Sequence, residues 1–495
     1  MMRRQEPAQS PMFSKSITLG DRIPEQHLLR QVKAAIDFEF VYHEVESLYG
    51  AVGHPSVPPP IILKLMVLLV LYNVRSEREL MATLPLRLDW LWFLGYDLES
   101  ETPNHSVLSK ARARWGAKLF ETFFQRVLEQ CIQASLIDGR QVFVDSSLIE
   151  ANASIDSLFD KRKATAELQR RLDEPENPTP NGDAAEERQA ETKPSDEKLK
   201  PAEDQDHRET ARYRSSTDPD ATGAKHRGDK MRPRYATHRM IDASSTVITA
   251  TAIGPGHQNE AALLIPLIEQ HEKRTEAKIE KLTADGKYGV LGNLVACDER
   301  GITTFVVPFR DTHTTRGGMF AECDFRYDPE SDTYLCPAEQ QLKRANYRSD
   351  RDAYKYTAPR KACQVCPGRS HCTTSKQAPR SILRPVKQEL IDRCRKQAMS
   401  DEGRAARKNR MARMEGSFAW STRLGYKRAR WRGLHRMCIQ DLLIATTQNC
   451  LILLRSLASL PERAAIRLSF AFARLRTLMN AFILPCMTAT GNLAA

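Results

Sequence analysis

The chain has 495 residues, 41% of them hydrophobic and 27% charged, which allows about three domains and more than one apolar core. Lys and Arg number 74 against 62 Asp and Glu, and the resulting net charge of +12 suits a polyanionic partner, nucleic acid before others. The longest apolar stretch, Ile61 to Tyr72, contains Lys64 and falls short of the ~20 residues of a membrane span, and no apolar run follows the two arginines near the N-terminus as in a secretory signal.

A cytoplasmic protein with no membrane contact is therefore expected, with its 11 cysteines as thiols rather than a disulfide framework. Residues 1–137 read as an all-helical domain suited to DNA binding. Ile61, Leu63, Leu65, Met66, Leu68, Leu69 and Leu71 give a helix that is apolar nearly all round and hence buried. Ser76 and Glu79 have the spacing of a capping box, Ser106 is placed to cap a helix running to Trp115, and Leu119 to Cys131 repeat at helical spacing. Lys110, Arg112, Arg114 and Lys118 form a basic set, read as a solvated helix face or as phosphate contacts.

From residue 138 the pattern changes to strands alternating with helices, which predicts an α/β fold with a mixed sheet. Residues 138–158 and 235–308 supply its first two parts, with strands expected at 141–145, 242–253, 281–285 and 302–307 and a helix over Glu260 to Glu272. Residues 159–234 interrupt it. Between Leu172 and Tyr213 Leu199 is the one large apolar residue, so this charged insertion is expected to be a disordered or partly helical excursion from the sheet. Residues 309–400 form a second insertion, holding the grouped cysteines. Residues 401–457 complete the core as a helix that is basic in its first half, and 458–495 are a tail.

Asp145 and Asp285 each end a hydrophobic strand. An aspartate there commonly caps a turn. Two of them in one α/β domain also match the needs of phosphodiester chemistry, where two divalent ions roughly 4 Å apart are held by carboxylates from converging elements. Glu415, a lone acid in a helix crowded with Arg and Lys, is either a salt-bridge partner or the third ligand.

These residues carry a resemblance. FVDSSLIEANAS (Phe143 to Ser154), TADGKYG (Thr283 to Gly289) and MEGSFAW with YKRARWRGL (Met414 to Leu434) resemble the three blocks of a bacterial insertion-sequence transposase of the DDE class. The stretch from His54 to Gly116 is similar to the helical domain that precedes the core there. Tyr235, His238 and Asp242, and GPGHQNE (Gly254 to Glu260), fit the pattern between the two aspartates. The likeness covers most of residues 40 to 457 in order.

The resemblance implies a ribonuclease-H-like core and a catalytic triad of Asp145, Asp285 and Glu415 holding two Mg²⁺ (or Mn²⁺) ions. It implies double-stranded DNA as partner, both the element's terminal inverted repeats and target DNA. Hydrolytic nicking at the element's end is followed by attack of the freed 3′-hydroxyl on the target. A homodimer on DNA, associated with the nucleoid, goes with this. Arg410, Arg413, Arg423, Lys427, Arg428, Arg430 and Arg432 are the implied phosphate contacts. The family's usual Tyr before the glutamate is here Met411, and its usual Lys after it is Thr422. Arg410 or Arg413, and Arg423 or Lys427, would take over those contacts. Two readings compete with an active transposase: a decayed, transposase-derived DNA-binding protein, and a related metal-dependent nuclease that cuts without joining.

Cys336, Cys363, Cys366 and Cys372 offer a structural Zn²⁺ set, because four thiolates satisfy tetrahedral zinc; four reduced, unliganded thiols are the alternative. His371 is a replacement ligand and Cys323 a spare. His238 and His257 are expected to hydrogen-bond rather than to catalyse. No G-x-x-x-x-G-K-[ST] loop occurs, which argues against a nucleotide-driven activity.

Overall fold

The computed structural model describes residues 18–50, 52, 54–160, 212–225, 228–308, 319–375 and 377–459. The chain forms two compact units, Met1–Leu136 with Leu442–Ala495, and Ile137–Asp441.

The described part of the first unit is helical. In the helix Pro59–Leu71 every residue from Pro59 to Val70 is buried, as an apolar all-round sequence demands, and Pro at its first positions suits a helix start. Even Lys64 is buried, with its ammonium over the Phe38 ring. Ser76 Oγ accepts the Glu79 N–H and caps the helix Glu77–Thr83. The helix Ser106–Gln133 starts differently from the expectation. Ser106 is its first residue, and the Ser106 N–H is taken by Asn104 Oδ1. At Gly116, with φ +64° and ψ −172°, the helical path breaks, a conformation open to glycine. The basic set on this helix is not uniformly solvated either, since Arg112 is buried and ion-paired with Glu77.

The second unit contains two sheets. In the larger, β1 (Gln141–Glu150) is central. β5 (Arg232–Asp242) pairs antiparallel along one side of it, and β6 (Ile248–Pro255) pairs antiparallel with β5. On the other side β7 (Lys281–Thr283) and then β8 (Thr303–Thr304) run parallel to β1. Val142, Val144, Met240 and Ala250 bury one face against Leu264, Leu267 and Ile268 of the helix Leu264–Thr275. This is a mixed sheet packed by helices.

Several elements differ from the sequence expectation. The run 242–253 is not one strand. Asp242 Oδ1 accepts the N–H groups of Ser244 and Ser245 at 3.0 and 2.9 Å, and the chain turns before re-entering as β6. The run 302–307 pairs only over Thr303–Thr304. The helix expected from Glu260 opens as a 3₁₀ turn, Glu260–Leu263, so that Pro266 falls in the first turn of the α-helix that follows.

The insertion expected over 159–234 is ordered at both margins. β2 (Leu158–Asp160), β3 (Tyr213–Ser215) and β4 (Thr222–Ala224) extend the sheet beyond the start of β5. Tyr235 explains part of this, since its buried hydroxyl donates to the buried Asp218 at 2.8 Å. Residues 161–211 lie outside the described residues.

The smaller sheet, within the insertion expected over 309–400, is an antiparallel meander. It comprises β9 (Arg326–Asp328), β10 (Thr333–Leu335), β11 (Gln341–Arg348), β12 (Ala353–Thr357) and β13 (Ser381–Pro385). The basic helix that follows is interrupted, giving Asp401–Arg423 and Leu434–Ser459. The second of these does not belong wholly to the sheet unit, which ends at Asp441, while residues from Leu442 count with the helical unit. Leu434–Ala458 is the one helix among the described residues long and apolar enough to cross a membrane, and 83% of its apolar window is buried.

Candidate active site

Asp145 lies on β1 between Val144, which points into the apolar core, and Ser146. Register sets it opposite Arg239 of β5, so the two share a face of the sheet. Arg410, from the helix Asp401–Arg423, places a guanidinium nitrogen 2.8 Å from Asp145 Oδ2, and the Ser146 N–H donates to Oδ1 at 2.8 Å. Burial pushes the Asp145 carboxyl up from its ordinary value, against Arg410 and the Ser146 N–H, and the charges of Asp285 and Glu260 push the same way as burial.

Asp285 follows β7 and caps the 3₁₀ turn Gly286–Tyr288, accepting the Gly286 N–H at 2.7 Å. The turn-capping role and a place beside Asp145 coexist. The parallel register ends with Phe143 paired to Thr283, two residues short of each aspartate, and the charge of Asp285 reaches Asp145. The turn ends at Gly289, where a β-carbon would stand 2.4 Å from the Val307 carbonyl oxygen, so the close approach needs glycine.

Glu260 adds a third carboxylate that the triad reading omits. Its Oε2 accepts the Ser146 hydroxyl at 2.8 Å and its Oε1 takes the Lys287 ammonium at 2.6 Å. Beneath it Tyr288 OH and His238 Nδ1 are 2.9 Å apart. Burial pushes the His238 imidazole down to about 4, so it is neutral near pH 7. His257 is likewise hydrogen-bonded, to Thr222 Oγ1. Glu260 closes the GPGHQNE motif, the one sequence signal that could have singled it out.

The helix Asp401–Arg423 buries Gly403, Met414, Ser417 and Ser421 and turns Arg410 towards β1. Glu415 is exposed on this helix, and its carboxylate makes no hydrogen bond or ion pair among the described residues. No group of three or more His, Cys, Asp or Glu in metal-holding geometry occurs among the described residues. The charges of Asp285 and Glu260 thus both reach Asp145, while no hydrogen bond or ion pair joins Glu415 to any of the three among the described residues.

The basic residues divide by role. Arg410 is committed to Asp145, and Arg413 donates to the Ser244 carbonyl at 3.0 Å. Arg423, Lys427, Arg428 and Arg432 are exposed, and Arg430 is half-buried. The segment that carries the last four is laced to the end of β1. The Glu150 N–H donates to the Lys427 carbonyl, the Ala429 N–H to the Glu150 carbonyl, Asn152 Nδ2 to the Arg430 carbonyl, and Arg432 Nε to the Asn152 carbonyl, all within 3.2 Å. The residues just past Asp145 therefore hold a basic strip in place.

Sequence reasoning missed a buried charge pair. Arg239, fully buried, donates to Asp441 Oδ1 at 3.1 Å and to Ser421, and stacks on the Tyr426 ring at 4.3 Å. The hydroxyls of Tyr426 and Thr251 also donate to Asp441. Ser421 ties β5 to the helix carrying Arg410, and Asp441 ties β5 and β6 to the start of the next helix, Leu434–Ser459. Tyr235 and Asp242 of the quoted pattern flank Arg239, but nothing in the pattern pointed to a partner 202 residues away.

In the smaller sheet Cys336, Cys363, Cys366 and Cys372 line one cavity of about 250 Å³. The Gln340 N–H points at Cys336 Sγ, 3.3 Å away, while Arg369 and Arg380 donate to the Cys363 and Cys372 carbonyls. Burial raises the Cys372 thiol, opposed by Arg380 and supported by the three other thiols. His371 does not line the cavity. Its ring stands 6.5 Å from Phe320. The side chain of Cys323 lies outside the described set.

Comparison with known proteins adds two findings. Residues 17–114 match the model of a transposase domain (DUF772), and residues 335–454 match that of a transposase DDE domain. The second match contains Glu415, the four cysteines and Asp441. No curated protein matches the chain. Two transposase domains following each other on one chain make this protein an insertion-sequence transposase of the DDE class, an enzyme that acts on DNA and depends on a divalent metal.

Proposed function

We propose that Asp145 and Asp285, completed by Glu415, hold two Mg²⁺ (or Mn²⁺) ions at the end of a ribonuclease-H-like sheet. There the chain nicks the terminal inverted repeats of its element and joins the freed 3′-hydroxyl to target DNA. The single observation that carries this is Asp145 on β1 with Asp285 just past the neighbouring parallel strand β7, near enough for its charge to act on the Asp145 carboxyl. The donor set fits hard cations, being oxygen-only, and the raised Asp145 carboxyl marks crowded negative charge that a divalent ion would relieve. Glu415 stands five residues beyond Arg410 on the same helix, about 7.5 Å along the axis at ~1.5 Å per residue and roughly 140° round it, so a rotation of its side chain or of the helix would have to bring it to the pair.

Bound there, the two ions supply activation of the attacking oxygen and stabilisation of the leaving one. The remaining roles fall to the chain. Arg410 holds Asp145 in place from the helix side. Arg423, Lys427, Arg428, Arg430 and Arg432 neutralise phosphates and position the strand. The two ends of an element call for two active sites, so a homodimer on DNA, working in the cytoplasm at the nucleoid, suits the reaction. Mapping the products on element-end DNA separates the readings. Nicks without joined products would favour a nuclease, and end binding without nicks a decayed relative.

A second metal is proposed for the small sheet, on a separate observation: four cysteines lining one cavity. In a reducing compartment Zn²⁺ is the cross-link that four cysteines offer. Protein purified without chelators should then carry about one zinc per chain.

A further inference from the structure

Two cations flank the aspartates, and they are tethered differently. Arg410 is 13% exposed, bound to Asp145, and also aimed at the Val144 carbonyl. It is fastened to the sheet. The Lys287 side chain is 60% exposed and projects from the turn that Asp285 caps. Its one ion-pair partner among the described residues is Glu260, and both Asp285 and Asp145 lie within its electrostatic reach.

Glu260 in turn is 19% exposed and spends its second oxygen on Ser146, the residue next to Asp145. Capping the 3₁₀ turn is not its task, because Asn259 caps that turn by accepting the Ala261 N–H. With the Lys287 side chain 60% exposed and solvent-screened, such a pair contributes about 1 kcal/mol to folding, so stability is a weak reason for the arrangement. A compact ammonium on a flexible stem, held at the mouth of a carboxylate site, is suited to a phosphate oxygen.

We propose that Lys287 contacts a non-bridging oxygen of the scissile phosphate, and that Glu260, anchored by Ser146, positions it. This rests on the reading of Asp145 and Asp285 as the metal-holding pair. Lys287 would be a substrate-contacting residue and Glu260 a positioning residue.

The test is a binding cycle. Affinity for an element-end duplex is measured in Ca²⁺, with either a normal or a neutral methylphosphonate group at the scissile position, for the wild-type chain, Lys287→Ala, Lys287→Arg and Glu260→Gln. Neutralising the phosphate should cost the wild type about tenfold, as loss of one charge-assisted contact would. Lys287→Ala should lose at least about threefold less than the wild type on the same change, the remainder being the phosphate's contact with the bound ions. Lys287→Arg should restore most of the difference, and Glu260→Gln should fall between the two. A role confined to folding would leave the cost equal in all four proteins. Equal cost in the wild type and Lys287→Ala, or no cost in the wild type, overturns the proposal.

Cleavage in Mg²⁺ by the wild type and Asp145→Ala is run beside the cycle. Unimpaired cleavage by Asp145→Ala would sink the metal-site reading, while the binding cycle still decides Lys287 on its own.

Discussion

The two sheets of the second unit carry their proposed metal ligands in opposite settings. The larger sheet has an apolar core of Val142, Val144, Met240, Leu264, Leu267, Ile268 and their neighbours. With that much burial it can carry crowded acids at its end, a local cost accepted for function. The smaller sheet has a core of Phe325, Tyr334, Leu342, Tyr356, Ala358 and Ile382, and most of β11 is exposed. It has little apolar surface, and its thiols lie beside that small core. Metal at the first site should serve chemistry at almost no benefit to the fold. Metal at the second should serve the fold.

That contrast breaks most readily at the acids. Asp145→Ala, Asp285→Ala and Glu415→Ala should each lower cleavage about a thousandfold or more, because each removes part of a two-metal clamp worth several kcal/mol at the transition state. End binding and the melting temperature should change little. If Glu415→Ala cleaved normally while Glu260→Ala did not, the third ligand would be Glu260, the acid that the structure already groups with the aspartates.

The large sheet has its own weak point, away from the acids. Asp441→Ala strands Arg239 as a buried, unpaired charge, and breaking such a pair typically costs about 3–5 kcal/mol. Equilibrium denaturation should show it as a fall in the main unfolding transition. A change below about 1 kcal/mol would mean that the network does not bind the helix to the sheet.

Acid should expose another difference between the sheets. Burial keeps His238 neutral, with its folded value near 4 against 6.5 for the free side chain. The sign follows from linkage. This contribution is complete above the unfolded value and is lost as pH falls through the folded one, about 3 kcal/mol in all. His238→Gln should flatten stability between pH 6.5 and 4, measured by denaturant titration. An unchanged slope would place the acid sensitivity elsewhere.

The smallest effect on global stability should come from the small sheet. Cys363→Ser with Cys366→Ser should release zinc and make residues 319–385 protease-sensitive, yet move the main transition by less than about 1 kcal/mol, since that core is separate. A chain without zinc whose small sheet still resists protease would remove the contrast altogether.

The sequence was legible where chemistry is local. The Pro59–Leu71 helix is legible because its apolar residues run all round, and Asp285 does follow β7; Asp145, expected at a strand end, lies instead in mid-strand, because β1 runs on past it to Glu150 and pairs with β5 throughout. The spacing of Ser76 and Glu79 alone marks a helix cap, and Ser76 Oγ does accept the Glu79 N–H. The turn after Asp242 stayed hidden under the β-branched run that follows it, although Asp-Ala-Ser-Ser is turn chemistry. β3 and β4 stayed hidden because they border a charged stretch and gain their partners only through β5. Arg239 and Asp441 could not be matched, because no local pattern pairs residues so far apart.

The most direct measurement maps products to the nucleotide. The purified chain is incubated with a duplex carrying one element end and its flank, together with target DNA, in Mg²⁺ or in EDTA. The account predicts a nick at the element's end and a joined product in Mg²⁺ only, both lost in Asp285→Ala. Cleavage at that position in EDTA, or by Asp285→Ala at the wild-type rate, would contradict it.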